Sequence, residues 1–293
     1  MKIVSLIAAG LMALWAPTAF AQTPEELPEA DLGTITVTSD GRSERTVIDD
    51  FVADITAIHE RNGQVATFDE RICPAVINLP PAQAQVINDR IARAALIAGL
   101  QVGRPGCEGN VLVIFTEDSD RLVPAMVSRY GRVFRWHVSD QERGRQLLDE
   151  FSREGRTVRW WHLTERDTLG HDGGSRLRAA YETDIYRVIQ VVDIRRAGRV
   201  NLTALGDYLA MTALTRMSPD ADLHNLDSVL NLFTPGETPE GQAPTSMTDW
   251  DQAYLEAVYA ARGDTRSQFL AQHDIAQRME RRINQRRDGR SIR

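Results

Sequence analysis

The residues able to do chemistry are few. The 293-residue chain has six histidines and two cysteines. No histidine stands in H-E-x-x-H, H-x-H or mixed Cys/His metal-ligand spacing. His162 lies in the strand-like run Arg159-Trp160-Trp161-His162-Leu163, and His171 precedes Asp172-Gly173-Gly174. A histidine beside an aspartate on a glycine-rich loop is a general-base candidate whose carboxylate partner the turn keeps close. The other reading is that Asp172-Gly173-Gly174 is simply a turn with a solvated neighbour. Ser175 follows two glycines as a nucleophile follows a strained turn, but Gly173-Gly174-Ser175-Arg176-Leu177 departs from G-x-S-x-G. His162, His171, Asp172 and Ser175 together define a hydrolase reading. No cofactor and no metal set is expected.

The cations are almost all of one kind. Lys2 is the only lysine among 34 basic residues. From residue 22 onward there is therefore no Schiff-base lysine, no phosphate-loop lysine and no Ser-Lys dyad. Arginine remains as a planar, bidentate donor to carboxylates or phosphates. A formal net charge of −7 argues against general nucleic-acid binding, which needs a basic face.

The compartment follows from the first 21 residues. Met1-Lys2, the apolar run Ile3 to Trp15 and Ala19-Phe20-Ala21 have the three parts of a secretory signal peptide. The run falls short of the roughly 20 residues a spanning helix needs. No later segment reaches that length, so the expected product is periplasmic or secreted, with no membrane span after cleavage. Export makes Cys73 and Cys107 a disulfide pair by expectation. Closing a loop of that length contributes about 3–4 kcal/mol in the chain-entropy model. A metal pair or a catalytic thiol are the alternatives, without C-x-x-C spacing or a neighbouring histidine to support them.

These groups need elements to position them. Residues 22–43 form an acidic leader, with a β-prone strip Thr34-Ile35-Thr36-Val37-Thr38 near its end. Val47, Ile48, Phe51, Val52, Ile55 and Ile58 follow helical spacing. Pro80-Pro81 opens a second helix carrying Val86, Ile87, Ile91, Ala94 and Ala95, with Gly99 near its end. Val111–Phe115 reads as an apolar strand, and helical spacing returns over 121–129 and 139–153. Thr157–Leu163 and Ile185–Ile194 read as strands around a polar loop, Asp167–Ser175. Leu202–Met217 is a helix with Leu205, Leu209 and Leu214 inward, another starts at Thr248-Asp249, and a last one follows Asp264. The irregular alternation predicts an α+β fold: a mixed sheet with packed helices in one domain, 44–262, and a C-terminal helix and basic tail, 263–293.

Three resemblances add to this. Leu205-Gly206-Asp207-Tyr208-Leu209-Ala210-Met211, Asp227-Ser228-Val229-Leu230-Asn231, Met247-Thr248-Asp249-Trp250-Asp251 and Val258-Tyr259 resemble the end of a zincin-type metallopeptidase domain of the matrixin kind. In that register Gly206, Ala210 and Arg216 stand where the family has its three zinc histidines, and Asp207 where it has the general-base glutamate. The resemblance implies a zincin-like scaffold without its metal, and a cleft in which Asp207 and Tyr208 are binding candidates. The Cys73-Pro74 region, the Cys107–Asn110 loop and the Asp207-Tyr208 helix also resemble a family of exported alphaproteobacterial proteins, which lends no function. Gly33–Ser39 resembles the energy-coupling box of TonB-dependent receptors, a strip suited to strand addition; an ordinary edge strand is the other reading.

Three functions are compatible with these observations. One is a non-catalytic peptide- or protein-binding protein on the metal-free scaffold. Another is a hydrolase using His162, His171, Asp172 or Ser175. The third is a cell-envelope adaptor using strip 34–38 and the arginines of 278–293 as contacts.

Overall fold

The computed structural model describes residues 42–56, 65–135, 148–168, 181–218, 221, 223, 226–234, 243–262 and 268–291. All belong to one unit, 37–293. Leader 22–41 with its strip 34–38, and the residues His171, Asp172 and Ser175, lie outside the described residues.

Helix α1, Glu44–Ile55, begins where the Ser43 side chain accepts from the Thr46 N–H, and it buries Val47, Ile48, Phe51, Val52 and Ile55. Strands β1, Thr67–Phe68, and β2, Pro74–Ile77, follow. Helix α2, Pro81–Ile97, starts on a proline whose missing N–H would have been unpaired there anyway. Its buried stripe is Ile87, Ile91, Ala94 and Ala95. Strand β3, Val111–Thr116, alternates buried and half-buried positions. Helices α3, Ser119–Arg129, and α4, Gly131–Arg135, lead to helical residues 148–152. Strands β4, Val158–Thr168, and β5, Tyr181–Asp193, are the longest. Beyond them lie α5, Ile194–Ala197, α6, Leu202–Leu214, a 3-10 turn at Val229–Phe233, α7, Asp249–Ala260, and α8, Gln268–Ser291.

The expected α+β class is what forms. Among the described residues the sheet has five strands, and β5 organises it. β4 runs antiparallel along one edge of β5 from Val158↔Val192 to Thr168↔Tyr181, with a register shift between Leu163 and Thr164. The other edge of β5 takes β1 at Asp184 and Ile185 and β3 at Val188–Asp193, both parallel. β2 pairs parallel with β3. The β4 strand reaches Thr168, past the loop start expected at Asp167, because cross-strand pairing with β5 extends the ladder over polar residues whose local pattern reads as loop.

Alternation along β5 divides the interior. Val188 and Val192 face a large core with α1, α2, α6, α7 and α8, while Ile189 and Val191 face a smaller one with Val123, Phe134, Phe151 and Trp161. Ile275, Ala276, Met279 and Ile283 of α8 belong to the large core, so the C-terminal helix is an integral layer. Several of its arginines bond carboxylates: Arg286 bonds Glu256 at 2.7 Å, Arg287 bonds Glu44 at 2.6 Å, and Arg278 bonds Asp274 at 2.7 Å.

Two devices fix the chain at opposite ends of the parallel strands. Cys73 and Cys107 form the expected disulfide, with Cα atoms 6.1 Å apart. Gly103 is required beside it, since a Cβ there would lie 2.3 Å from the Cys107 Sγ. At the carboxyl ends, the guanidinium of Arg159 is fully buried. It donates to the Arg153 carbonyl at 2.9 and 2.7 Å, to the Ser119 hydroxyl and to the Asp120 carboxylate. Arg196 donates to Asp120 at 2.5 Å and to Asp193 at 2.8 Å. Asp193 also caps α5 and accepts from the Ser119 N–H and hydroxyl. Burial opposes ionisation of Asp120 and Asp193, but these donors outweigh it and hold both carboxyls below their ordinary range.

Candidate functional site between strand β4 and helix α6

Helix α6 starts because the Asn201 side chain accepts from the N–H groups of Thr203 and Ala204 at 2.8 and 3.3 Å. Apart from Leu202, Thr203 and Tyr208, every residue of the helix is buried. A helix apolar all round must be covered on every side.

One side meets α2. A Cβ on Gly206 would sit 2.7 Å from the Cβ of Arg90 and 2.8 Å from its Cγ. The missing side chain is thus what lets the helices approach. The same arginine reaches around to Asp207, donating at 2.7 and 2.5 Å to its two oxygens. The Met247 N–H adds a third bond to Asp207 at 2.7 Å. This fully buried carboxylate ties α2, α6 and the segment before α7 together.

Another side meets the sheet. Trp160 and His162 lie on the β4 face turned toward α6, being two residues apart. The Tyr208 ring contacts Trp160 at 6.5 Å and Phe233 at 5.1 Å between centroids, both edge-on. Gln190 of β5, opposite Trp160, donates at 2.9 Å to the Leu209 carbonyl and at 2.9 Å to the Thr212 hydroxyl. Its buried Oε1 finds no donor among the described residues. His162 Nε2 lies 3.1 Å from the Ala213 carbonyl. A carbonyl only accepts, so this nitrogen carries the proton and Nδ1 the lone pair. Burial, reinforced by the Arg216 charge, pushes His162 down to about 3, and it is neutral at physiological pH. Burial pushes the Tyr208 hydroxyl up to about 12 against the opposing charge of Arg156. These are a neutral imidazole and a neutral phenol, suited to hydrogen bonding and packing.

The sequence candidates therefore separate. His162 and Tyr208 share the sheet-facing side of α6, whereas Asp207 turns to α2 and is saturated by Arg90 and Met247. His171, Asp172 and Ser175 lie outside the described residues, so no convergence with His162 is described. Trp160, Gln190, Thr212 and Phe233 were not singled out from the sequence. Only the doubled tryptophan in Arg159-Trp160-Trp161-His162 hinted that alternate residues there divide between two faces.

The segments that carry the zincin resemblance do meet in space. Asp251 of α7, fully buried, accepts from the Ser228 hydroxyl at 2.6 Å, from the N–H groups of Val229 and Thr248 at 2.8 Å each, and from the Thr248 hydroxyl at 2.9 Å. Burial raises its carboxyl, with those donors opposing. The zinc itself does not fit. Gly206 has no room for a side chain, Ala210 is fully buried and carries no ligand atom, and Arg216 is a cation. Among the described residues, no group of three or more His, Cys, Asp or Glu is arranged to hold a metal ion. No protein-family model, curated protein or solved structure matches the chain. Among the described residues, no helix is long and apolar enough to cross a membrane.

Proposed function

We propose that this chain is an exported, non-catalytic binding protein that takes an extended peptide along β4, on a zincin-like scaffold without metal. The observation that carries the reading is the fate of Gly206 and Asp207. In the zincin register they would be a ligand and the general base, yet one closes the α2–α6 contact and the other is consumed by Arg90 and Met247. What is left beside that helix is a recognition surface. β4 has 11 residues, pairs with β5 along one edge, and pairs with no other described strand. Its inner face presents Trp160 next to Tyr208 and Phe233. Main-chain bonding to such an edge gives affinity, and aromatic pockets for alternate side chains give selectivity.

Selection from a random peptide display library tests this. Captured peptides should quench the fluorescence of Trp160, and the response should vanish in Trp160→Phe. N-methylation at alternate peptide nitrogens should abolish capture, because it removes strand-forming donors. Stoichiometric zinc with a chelator-sensitive peptidase activity would refute the proposal, as would binding indifferent to N-methylation.

A further inference from the structure

The corner between α3 and α4 carries a feature that the peptide reading does not use. The chain runs from Arg121 to Ser139 without one acidic residue, against a net charge of −7 for the whole. Within that run, Tyr130 caps α3 and Gly131 opens α4, so the helical ladder is interrupted at this point. Tyr130 is 53% exposed and Val133 42%, two of the five large hydrophobic side chains exposed among the described residues. Arg129 precedes Tyr130, and Arg132 precedes Val133.

Many arginines of the molecule are drawn into ion pairs, and these two, like Arg93, Arg104, Arg199 and Arg281, are not among the described residues that form one. Elsewhere Arg45, Arg90, Arg159, Arg196, Arg286 and Arg287 are held by carboxylates. The Arg129 guanidinium instead lies over the Tyr130 ring, 5.8 Å from its centroid. Among the described residues, neither Arg129 nor Arg132 forms an ion pair, including with Asp149 and Glu150 on the neighbouring helical residues. Two uncompensated cations beside an exposed phenol and an exposed valine match an anionic surface with an apolar layer beneath it. Guanidiniums meet headgroup phosphates bidentately, and tyrosine favours the boundary between apolar and wet layers.

We propose that the Arg129-Tyr130-Gly131-Arg132-Val133 corner is a peripheral docking site for anionic phospholipid bilayers. Size decides between a bilayer and a protein partner. A stable protein interface buries roughly 800 Å² per partner around an apolar centre, and two exposed side chains at a helix corner do not supply one. Interfacial lipid attachment requires only a few basic residues within a Debye length of the surface, each contributing about fivefold in partitioning. Such binding is weak, reversible and salt-sensitive, and orients the rest of the protein relative to the membrane.

Vesicle co-sedimentation tests this with the chain from Gln22 onward, which keeps every described element. Vesicles of phosphatidylglycerol and phosphatidylcholine in equal parts should sediment the protein at low salt, and pure phosphatidylcholine vesicles should not. Arg129→Gln with Arg132→Gln should weaken partitioning about 25-fold, taking about fivefold per charge. Tyr130→Ser should weaken it further, while thermal melts of all variants stay at the parent value because these side chains are exposed. Three outcomes overturn the proposal: no sedimentation with anionic vesicles, sedimentation unchanged in the double variant, or arginine-dependent capture of a poly-glutamate peptide without vesicle binding.

Discussion

His162 shows how one side chain can be read two ways. In isolation a histidine near a glycine-rich loop suggests proton transfer, but burial between β4 and α6 removes its basicity. That displacement has a consequence for stability. The unfolded chain takes up a proton at this residue as pH drops below about 6.5, while the folded chain resists until about 3. Stability contributed by His162 is therefore complete above pH 6.5 and lost progressively as pH falls toward 3. Urea titrations at pH 6, 5 and 4 should show a slope of up to about 1.4 kcal/mol per pH unit that disappears in His162→Gln. Equal slopes in the two proteins would place the imidazole in solvent. Gly206 makes the second residue-scale prediction. Gly206→Ala gains helix propensity but collides with Arg90, so it should destabilise by about 1–3 kcal/mol in thermal melts. Gly289→Ala on α8, with open space around it, should be neutral or stabilising by up to about 1 kcal/mol.

At the scale of elements, polar locks do what the apolar stripes cannot. The stripes of α1, α2 and α6 are visible in the spacing of Val47, Ile87 and Leu205 with their partners, because a period near four residues survives in the bare sequence. The locks are invisible there, since they join distant positions. Arg159, Asp120 and Arg196 connect the start of β4, the start of α3 and α5. Asp120→Asn leaves the buried Arg159 guanidinium without its anion and should destabilise by about 3–5 kcal/mol in equilibrium denaturation. Arg159→Met should cost less, because Asp120 keeps Arg196 and some contact with water. The reverse order would mean that the packing of Arg159, and not its charge, holds the strand. For the carboxyl the sign is the ordinary acid one: its folded pKa is depressed, so its stabilisation is present above the unfolded carboxylate range and fades as pH falls through the folded value.

For the whole molecule, the disulfide closes the β2–α2–β3 unit across 34 residues of sequence. Cys73→Ser with Cys107→Ser should lower stability by about 3–4 kcal/mol and the melting temperature by on the order of 10 °C, measured by calorimetry. An unchanged melting temperature would show that the unfolded ensemble is already constrained without it. The cysteine pair, the α+β class and most helices were legible because each rests on local signals: spacing, caps such as Thr248 before Asp249, and an even, isolated pair of thiols. β1 was not legible, since two residues, Thr67 and Phe68, carry no period and exist as a strand only because β5 pairs with them. The candidate site was half legible. The sequence by itself supplied Tyr208, His162 and the absence of ligand side chains at positions 206 and 210. It could not determine that Asp207 and Tyr208, adjacent in the chain, serve different neighbours of α6. Helical geometry turns successive side chains about 100° apart. Which neighbour each then meets, Arg90 of α2 or Trp160 of β4, depends on how helix and sheet are stacked.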